Sequence, residues 1–454
     1  MFARTLVLAA CVWAMTSVGL VAANWPQFRG PQGDAVVTEA FPQEWGPETN
    51  VKWRINNPGE GWSTPVVWGD RVFLTAAVQI KPPEESEPDE DNEQEGRGRR
   101  GGRRYRNDLM TAVYRWEVQC LDATTGELLW RQVAREGNPP LERHSSNTYA
   151  SETPITDGER VYAYFGMTGF FCFDMQGEPL WQKDLGNYEM RAGWGTSSSP
   201  VLHDGKLFLQ IDNQEQSFIV ALDAATGEEV WRMDRDEPSH YSTPVVWTNS
   251  QRTEIVTCGQ RARSYDPATG ELLWELDLTG GRSSATPLAI GDRLFIGSEL
   301  RNRGGDDDGG GMLFAVKAGA EGDISLGEGE SSNDFVLWSL EKAGLQMASP
   351  VLCEGHLYVL ERRSGVLHCV NAETGEMAYA KRMPGARAFW ASPWVYEDRV
   401  YCPDDTGNTH IVQGGPEFKV IGKNTIEERI WSTAAIANGA LYLRTVDSIY
   451  CIAQ

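Results

Sequence analysis

A Ser/Thr-rich segment ending in proline recurs along the whole chain, and this recurrence limits the fold more than any other feature. It falls at Pro65, Pro154, Pro200, Pro244, Pro287, Pro350 and Pro393, and an eighth copy, Trp431-Ser432-Thr433-Ala434, has alanine in the proline position. The steps are 89, 46, 44, 43, 63, 43 and 41 residues. A period of about 43 is the length of a four-stranded blade. Six residues beyond the proline position stand Arg71, Arg160, Lys206, Arg293, His356, Arg399 and Ala440. A branched aliphatic residue and then an aromatic follow, as in Val72-Phe73, Leu207-Phe208 and Leu441-Tyr442. Turn pairs such as Gly69-Asp70, Asp204-Gly205 and Asn438-Gly439 lie just before. Each copy therefore opens as strand, two-residue hairpin, strand.

The second half of the repeat is equally regular. Cys120-Leu-Asp122-Ala-Thr-Thr125-Gly126-Glu-Leu-Leu-Trp130 returns as Ala221 to Trp231 and as Ser264 to Trp274, and Cys369 to Tyr379 repeats it with tyrosine last. Asp and Thr bond turn backbone while glycine takes a positive φ. The turn feeds a fourth strand whose indole can cover the neighbouring sheet. The last copy stops at Cys451-Ile452-Ala453-Gln454, before its Trp strand, whereas Asn50-Val51-Lys52-Trp53-Arg54 precedes the first proline. The expected architecture is all-β: an eight-bladed β-propeller of four-stranded antiparallel blades. The segment around Trp53 supplies the outer strand of the last blade and closes the circle, which leaves few exposed sheet edges.

These eleven-residue segments resemble the tryptophan-docking motif of the pyrroloquinoline-quinone-type repeat family, Ala-x-Asp-x-x-Thr-Gly-x-x-x-Trp. Ala221–Trp231 matches it outright; Cys120–Trp130 and Ser264–Trp274 match with a changed first residue. The copy at Cys172–Trp181 is one residue short, and copies five and seven degrade after Ala315 and His410. The family includes eight-bladed quinoprotein alcohol dehydrogenases and the propeller lipoprotein of the bacterial outer-membrane assembly machinery. The opening Trp25–Gly30 also resembles exported bacterial propellers. For the enzymes, the resemblance implies a quinone in the central channel, a disulfide ring from two adjacent cysteines, a calcium held by Glu, Asn and Asp, and a further Asp as base. This chain has no adjacent cysteines. Glu152, Asp212 and Asn213 are its carboxylate and amide candidates, though no motif maps them onto ligand positions.

Residues 1–23 read as a secretory signal: Arg4 precedes an apolar run, and Val21-Ala22-Ala23 offers small residues before a cleavage point at Asn24. A periplasmic or otherwise extracytoplasmic location follows. Lipidation at Cys11 ranks second, because only Leu6 to Ala10 is apolar before it. No later apolar run reaches membrane length, so no transmembrane segment is expected in the mature chain. Lys+Arg number 41 against 64 Asp+Glu, a net charge of −23. Nucleic acid, which needs basic surface, is excluded as a partner class. Seven cysteines remain beyond residue 23, an odd number in apolar stretches, which reads as buried small hydrophobes. No histidine pair has metal-site spacing, and no metal is expected. Two insertions are expected to be disordered, at about 80–109 with facing acidic and basic blocks and at about 301–333 with RNRGGDDDGGG. The domain plan is a signal at 1–23 followed by one propeller over 24–454.

The binding candidates cluster just before the prolines. Three residues upstream of that position stand Trp62, Tyr241, Met347, Trp390 and Trp431, with Ser151, Ser197 and Ser284 in the other copies. Nearby lie Arg143, His144, Tyr149, Arg191, Trp194, His240, Arg282, Arg387 and Arg429. First strands line a propeller channel, so these segments should crowd one channel mouth. Aromatics with arginine are preferred anchors of binding sites, and clustered arginines on an acidic protein would draw an anionic ligand. The other reading has the aromatics plug the channel and the arginines pair with nearby acids. The candidate site is Trp62, Arg191, Trp194, His240, Tyr241, Arg282, Arg387, Trp390 and Trp431, with no catalytic residue. The expected role is a monomeric, non-catalytic scaffold for a peptide or protein of the cell envelope, or for a small anionic ligand, with no cofactor. The alternative is a reduced quinoprotein-like dehydrogenase using the quinone and calcium.

Overall fold

The computed structural model describes residues 24–83, 110–279, 281–299 and 311–454. Eight small sheets stand side by side in a ring, with first strands of neighbouring blades in contact and the last blade touching the first. Blade three shows the common plan: Val201–His203, Lys206–Ile211, Ser217–Asp223 and Glu229–Arg235, each antiparallel to the next. Blade eight takes Ala435–Ala437, Ala440–Arg444 and Ser448–Ile452 from the carboxyl end, and its outer strand is Val51–Asn56. Trp53 pairs with Cys451 and Arg54 with Tyr450 in antiparallel register. The eight-bladed ring and its closure near Trp53 are as the repeat implied.

The docking turn is built by local hydrogen bonds. Asp122 Oδ1 accepts the backbone N–H groups of Thr124 and Thr125, both at 2.8 Å. Asp223 and Asp266 do the same in their copies. These bonds, the Thr125 N–H foremost, hold the Asp122 carboxyl below the usual carboxylate range. A register shift follows at one phase of most blades, between Cys120 and Leu121, Ala221 and Leu222, and Cys369 and Val370. Such a bulge re-aims the strand, and here it swings the tryptophan toward the next blade.

The four strands of each blade are antiparallel, and two blades gain a short fifth strand in parallel: Val36–Val37 along Trp394–Tyr396 of blade seven, and Gly322–Asp323 along Trp274–Glu275 of blade four. Two sequence expectations need correction. The second insertion is not loose throughout. Met312–Lys317 is the third strand of blade five, and the chain beyond it lays Gly322–Asp323 on the edge of the preceding blade. That cover explains the degraded fifth copy. Trp274, fully buried beneath it, donates to Glu254 Oε2 at 2.7 Å within its own blade instead of docking onward. The other correction, to the arginine cluster, belongs with the site. The signal at 1–23, the charged block at 84–109 and the Asp306-Asp307-Asp308 run lie outside the described residues.

Candidate functional site

The residue before each proline position carries a hydroxyl: Thr64, Thr153, Ser199, Thr243, Thr286, Ser349, Ser392 and Thr433. They form a belt around the channel. The backbone N–H of one donates to the hydroxyl oxygen of the next at Thr64–Thr153 (3.1 Å), Thr153–Ser199 (2.9 Å) and Ser199–Thr243 (3.0 Å). The pattern resumes at Thr286–Ser349, Ser349–Ser392 and Ser392–Thr433, each 3.0 Å. Proline has no N–H to satisfy at the following position, so the chain can turn into its first strand while the preceding N–H stitches two blades. The recurring Ser/Thr-Pro pair is thus a fastening between blades.

All eight hydroxyls face a cup of about 360 Å³ at the channel mouth, a size suited to a small molecule or a chain end. Its rim on one side is an arc of three indoles. Trp62 lies 5.0 Å from Trp431, and Trp431 stacks on Trp390 at 5.0 Å with planes 19° apart. Across the mouth, Trp194 stacks near Tyr241 at 6.2 Å and His144 packs on Trp194. The indole N–H groups of Trp62 and Trp431 are shielded from solvent and have no partner among the described residues. Arg362 and Arg363 border the cup, and no carboxylate does.

Below the belt the channel is blocked. The segment before the first blade crosses it: Trp25 bridges to Val67, the Pro26 carbonyl accepts from the Thr156 N–H, and Val36–Val37 runs along blade seven. Arg29, fully buried in the middle of this crossing, donates to the Pro350 carbonyl and to the Asp34 carbonyl. Phe28 borders both the cup and a second cavity on the opposite side, lined by Val201–His203 and Val245–Thr248 among others. Phe28 stands between the cup and this second cavity, which also share Thr243 and Thr286.

The nine sequence-selected residues divide. Trp62, Trp194, Tyr241, Trp390 and Trp431 line the cup; Arg191, His240, Arg282 and Arg387 do not. Arg191 is exposed on a short turn over Arg191–Gly193. His240 is buried, accepts the Ser283 N–H on Nδ1 at 3.1 Å and lies 3.3 Å from Glu237 through Nε2. Burial alone would raise Glu237, but His240 and Arg235 pull its carboxyl down to about 2. Arg282 is paired with Glu299 at 2.5 Å, and its guanidinium lies over Trp194 at 4.5 Å. Arg387 points outward onto Asp405, and Arg143 pairs with Glu60. The reading with uncompensated arginine at the mouth is thus corrected for Arg143, Arg282 and Arg387, which are matched by acids as the other reading had it. The hydroxyl belt, Phe28 and the Arg362-Arg363 pair were not selected from sequence. The signal for the belt was the hydroxyl before every proline position.

Comparison with known proteins agrees with this geometry. Residues 114–303 match the family described as outer membrane protein assembly factor BamB. Over those residues the chain is similar to the pyrroloquinoline-quinone-type repeat. A polyvinylalcohol dehydrogenase of Pseudomonas sp is 24% identical over 203 residues, which cover 41% of this chain and 25% of that protein. The match therefore spans about a quarter of that relative's length. Among solved structures, BamB of Moraxella catarrhalis superposes with a TM-score of 0.51 at 14% identity, covering 74% of this chain and 88% of that one. The quinohemoprotein alcohol dehydrogenase of Comamonas testosteroni gives a TM-score of 0.56 at 11% identity, covering 94% and 80%. At these identities the likeness is one of fold.

The residues do not fit a quinone held with calcium in the cup. Asp212 is spent in a buried pair with Arg235 at 2.8 Å. Asn213 accepts the N–H groups of Glu215 and Gln216 within its own turn. Glu152 is buried, with burial pushing its carboxyl up to about 7. None of the three lines the cup. The seven described cysteines are buried free thiols. Among the described residues no group of three or more His, Cys, Asp or Glu is placed to hold a metal ion, and no helix is long and apolar enough to cross a membrane.

Proposed function

We propose that this protein is an exported, non-catalytic binding scaffold of the cell envelope, with its cup holding part of a partner peptide or protein or a small anionic ligand. The observation that carries the reading is the arc Trp62–Trp431–Trp390 on the rim of a cup free of carboxylates. Stacked indoles at a mouth bury large apolar area at little entropic cost, as binding anchors do. The family match to an outer-membrane assembly factor favours a protein partner outside the cytoplasm. A dehydrogenase is the reading suggested by the other relatives, but it lacks ligands facing the cup.

The test pairs two measurements on the mature protein. Immobilised wild type and a Trp390→Ala, Trp431→Ala variant are exposed to an envelope extract, and captured partners are quantified. Capture by wild type that is lost in the variant supports the reading; equal capture by both removes the site. In parallel, the protein is mixed with pyrroloquinoline quinone and Ca²⁺. No dye-linked oxidation of alcohols or polyvinyl alcohol is expected, and steady turnover would establish the enzyme reading instead. Mass analysis of the exported chain checks the location: a start at Asn24 gives a free protein, and a lipid on Cys11 gives an anchored one.

A further inference from the structure

We infer that the throat of the cup is an oxyanion receptor: it takes a ligand with a carboxylate or similar acceptor-only group at its tip and an apolar body against the indole rim. The inference rests on the binding reading above and names the ligand chemistry of the same site.

The argument starts from the belt. A hydroxyl offers one proton and two acceptor lone pairs. In six of the eight, one lone pair is already filled by the N–H of the preceding blade. None of the eight donates its proton to a protein group among the described residues. The stitching fixes the oxygens on the wall and leaves their protons for the cavity. The throat is thus ringed by donors.

Three features narrow what such a ring can hold. No carboxylate lines the cup of a chain with 64 Asp+Glu, so a cation finds no countercharge there. A sugar brings protons of its own and is usually met by acid side chains, which are absent from this wall. A group with acceptors only suits it, because several hydroxyl protons can converge on one charged oxygen and charge-assisted bonds are the strong ones. Of the two arginines on the border, Arg362 lies 4.0 Å from Glu299, so the case for an anion rests on the hydroxyl ring. The indoles Trp62, Trp390 and Trp431 stand at the mouth and the hydroxyls deeper, so a ligand whose tip reaches the hydroxyls leaves its trailing part among the indoles. The tip is polar and the trailing part apolar, in that order.

The test uses 4-phenylbutyrate, its neutral amide, and a short apolar peptide with either a free or an amidated carboxyl end, each titrated calorimetrically into the mature protein. The acid is expected to bind at least tenfold more tightly than the amide. Tight binding of the free-ended peptide assigns the oxyanion to a chain terminus, and binding of phenylbutyrate alone assigns it to a small acid. A Thr64→Val, Thr286→Val variant removes two protons from the ring without touching a stitch, since neither oxygen accepts one. It should lose most of the preference for acid over amide while keeping the melting temperature. Equal binding of acid and amide to wild type, no binding of either at millimolar concentration, or an unchanged preference in the variant would overturn the inference. The scaffold reading survives those results if indole-dependent capture from the envelope extract persists, so the two fail separately.

Discussion

The indole N–H of Trp53 donates to the carbonyl oxygen of Ala123 at 3.0 Å, joining the outer strand of the last blade to the docking turn of the first. The same bond recurs around the ring: Trp130 to Met175, Trp181 to Ala224, Trp231 to Pro267 and Trp338 to Ala372, at 3.0 to 3.2 Å. The junction that joins the chain's two ends is therefore chemically the same as those between consecutive blades. Arg444, fully buried, reinforces it by donating to Ser63 Oγ and the Thr75 carbonyl at 2.8 Å, again from blade eight to blade one.

Trp53→Ala should consequently cost about 3–5 kcal/mol, the range for removing a buried large aromatic. Trp53→Phe keeps most of the ring contact and loses the hydrogen bond, so it should cost roughly 0.5–1.5 kcal/mol from that bond, plus a smaller packing term. Urea denaturation followed by far-ultraviolet circular dichroism measures both. A Trp53→Ala protein as stable as wild type would show that the closing strand is not held by its indole.

Two glycines separate backbone strain from docking. Gly227 has φ +72°, and a methyl group there would come within 2.6 Å of the Trp181 ring. Gly69 has φ +57° with open space around the same position. Gly69→Ala should cost only the left-handed penalty, about 1–2 kcal/mol. Gly227→Ala should cost distinctly more, because the indole must also leave its seat. Comparable denaturation midpoints for the two variants would mean the turn yields without disturbing the tryptophan.

Much of this was legible in the sequence because a repeat reports its own geometry. The phase of Trp130, Trp181 and Trp231 gives the docking rings, and the missing last strand gives the closure. The rim indoles Trp62, Trp390 and Trp431 were legible for the same reason: they share one position in the repeat. The arginines and His240 were not, because their partners are set by tertiary proximity. Glu299 reaches Arg282 and Asp405 reaches Arg387 from the next strand or loop of the blade, and the Glu237–His240 contact is local but sits in a loop that no periodicity describes. The crossing by Trp25 to Val37 was also out of reach: it occurs once, so nothing repeats to fix its path. The parallel strand Gly322–Asp323 hides in a Gly/Glu-rich stretch because edge pairing uses backbone groups and asks little of side chains.

The seven described cysteines should behave as core atoms. Burial pushes the thiols of Cys120, Cys172, Cys258 and Cys353 up to about 12 and that of Cys451 to about 11. Thiolate is the reactive form, so a native protein starting at Asn24 should not react with an aromatic disulfide reagent at mildly alkaline pH. In denaturant all seven should react. Rapid labelling of one thiol in the folded state would show a blade that opens locally.

Glu152 gives the chain a pH dependence of defined sign. It is 2% exposed, and burial, offset in part by a hydrogen bond with Thr196, raises its carboxyl from 4.5 to about 7. The folded state therefore holds this proton more tightly than the unfolded one. Its contribution to stability is fully present below about 4.5 and is lost as pH rises through about 7, where the ionised carboxylate must stay buried. The full swing corresponds to about 3 kcal/mol. Glu60, also raised by burial, slopes the same way, whereas Glu237 acts at the acid end, its contribution falling away only as pH drops toward about 2. The clean measurement is a difference: unfolding free energy of wild type against Glu152→Gln across this interval. The glutamine variant should match wild type near pH 4.5 and become the more stable of the two above neutrality. Parallel curves would mean that Glu152 finds a partner or water in solution and ionises normally.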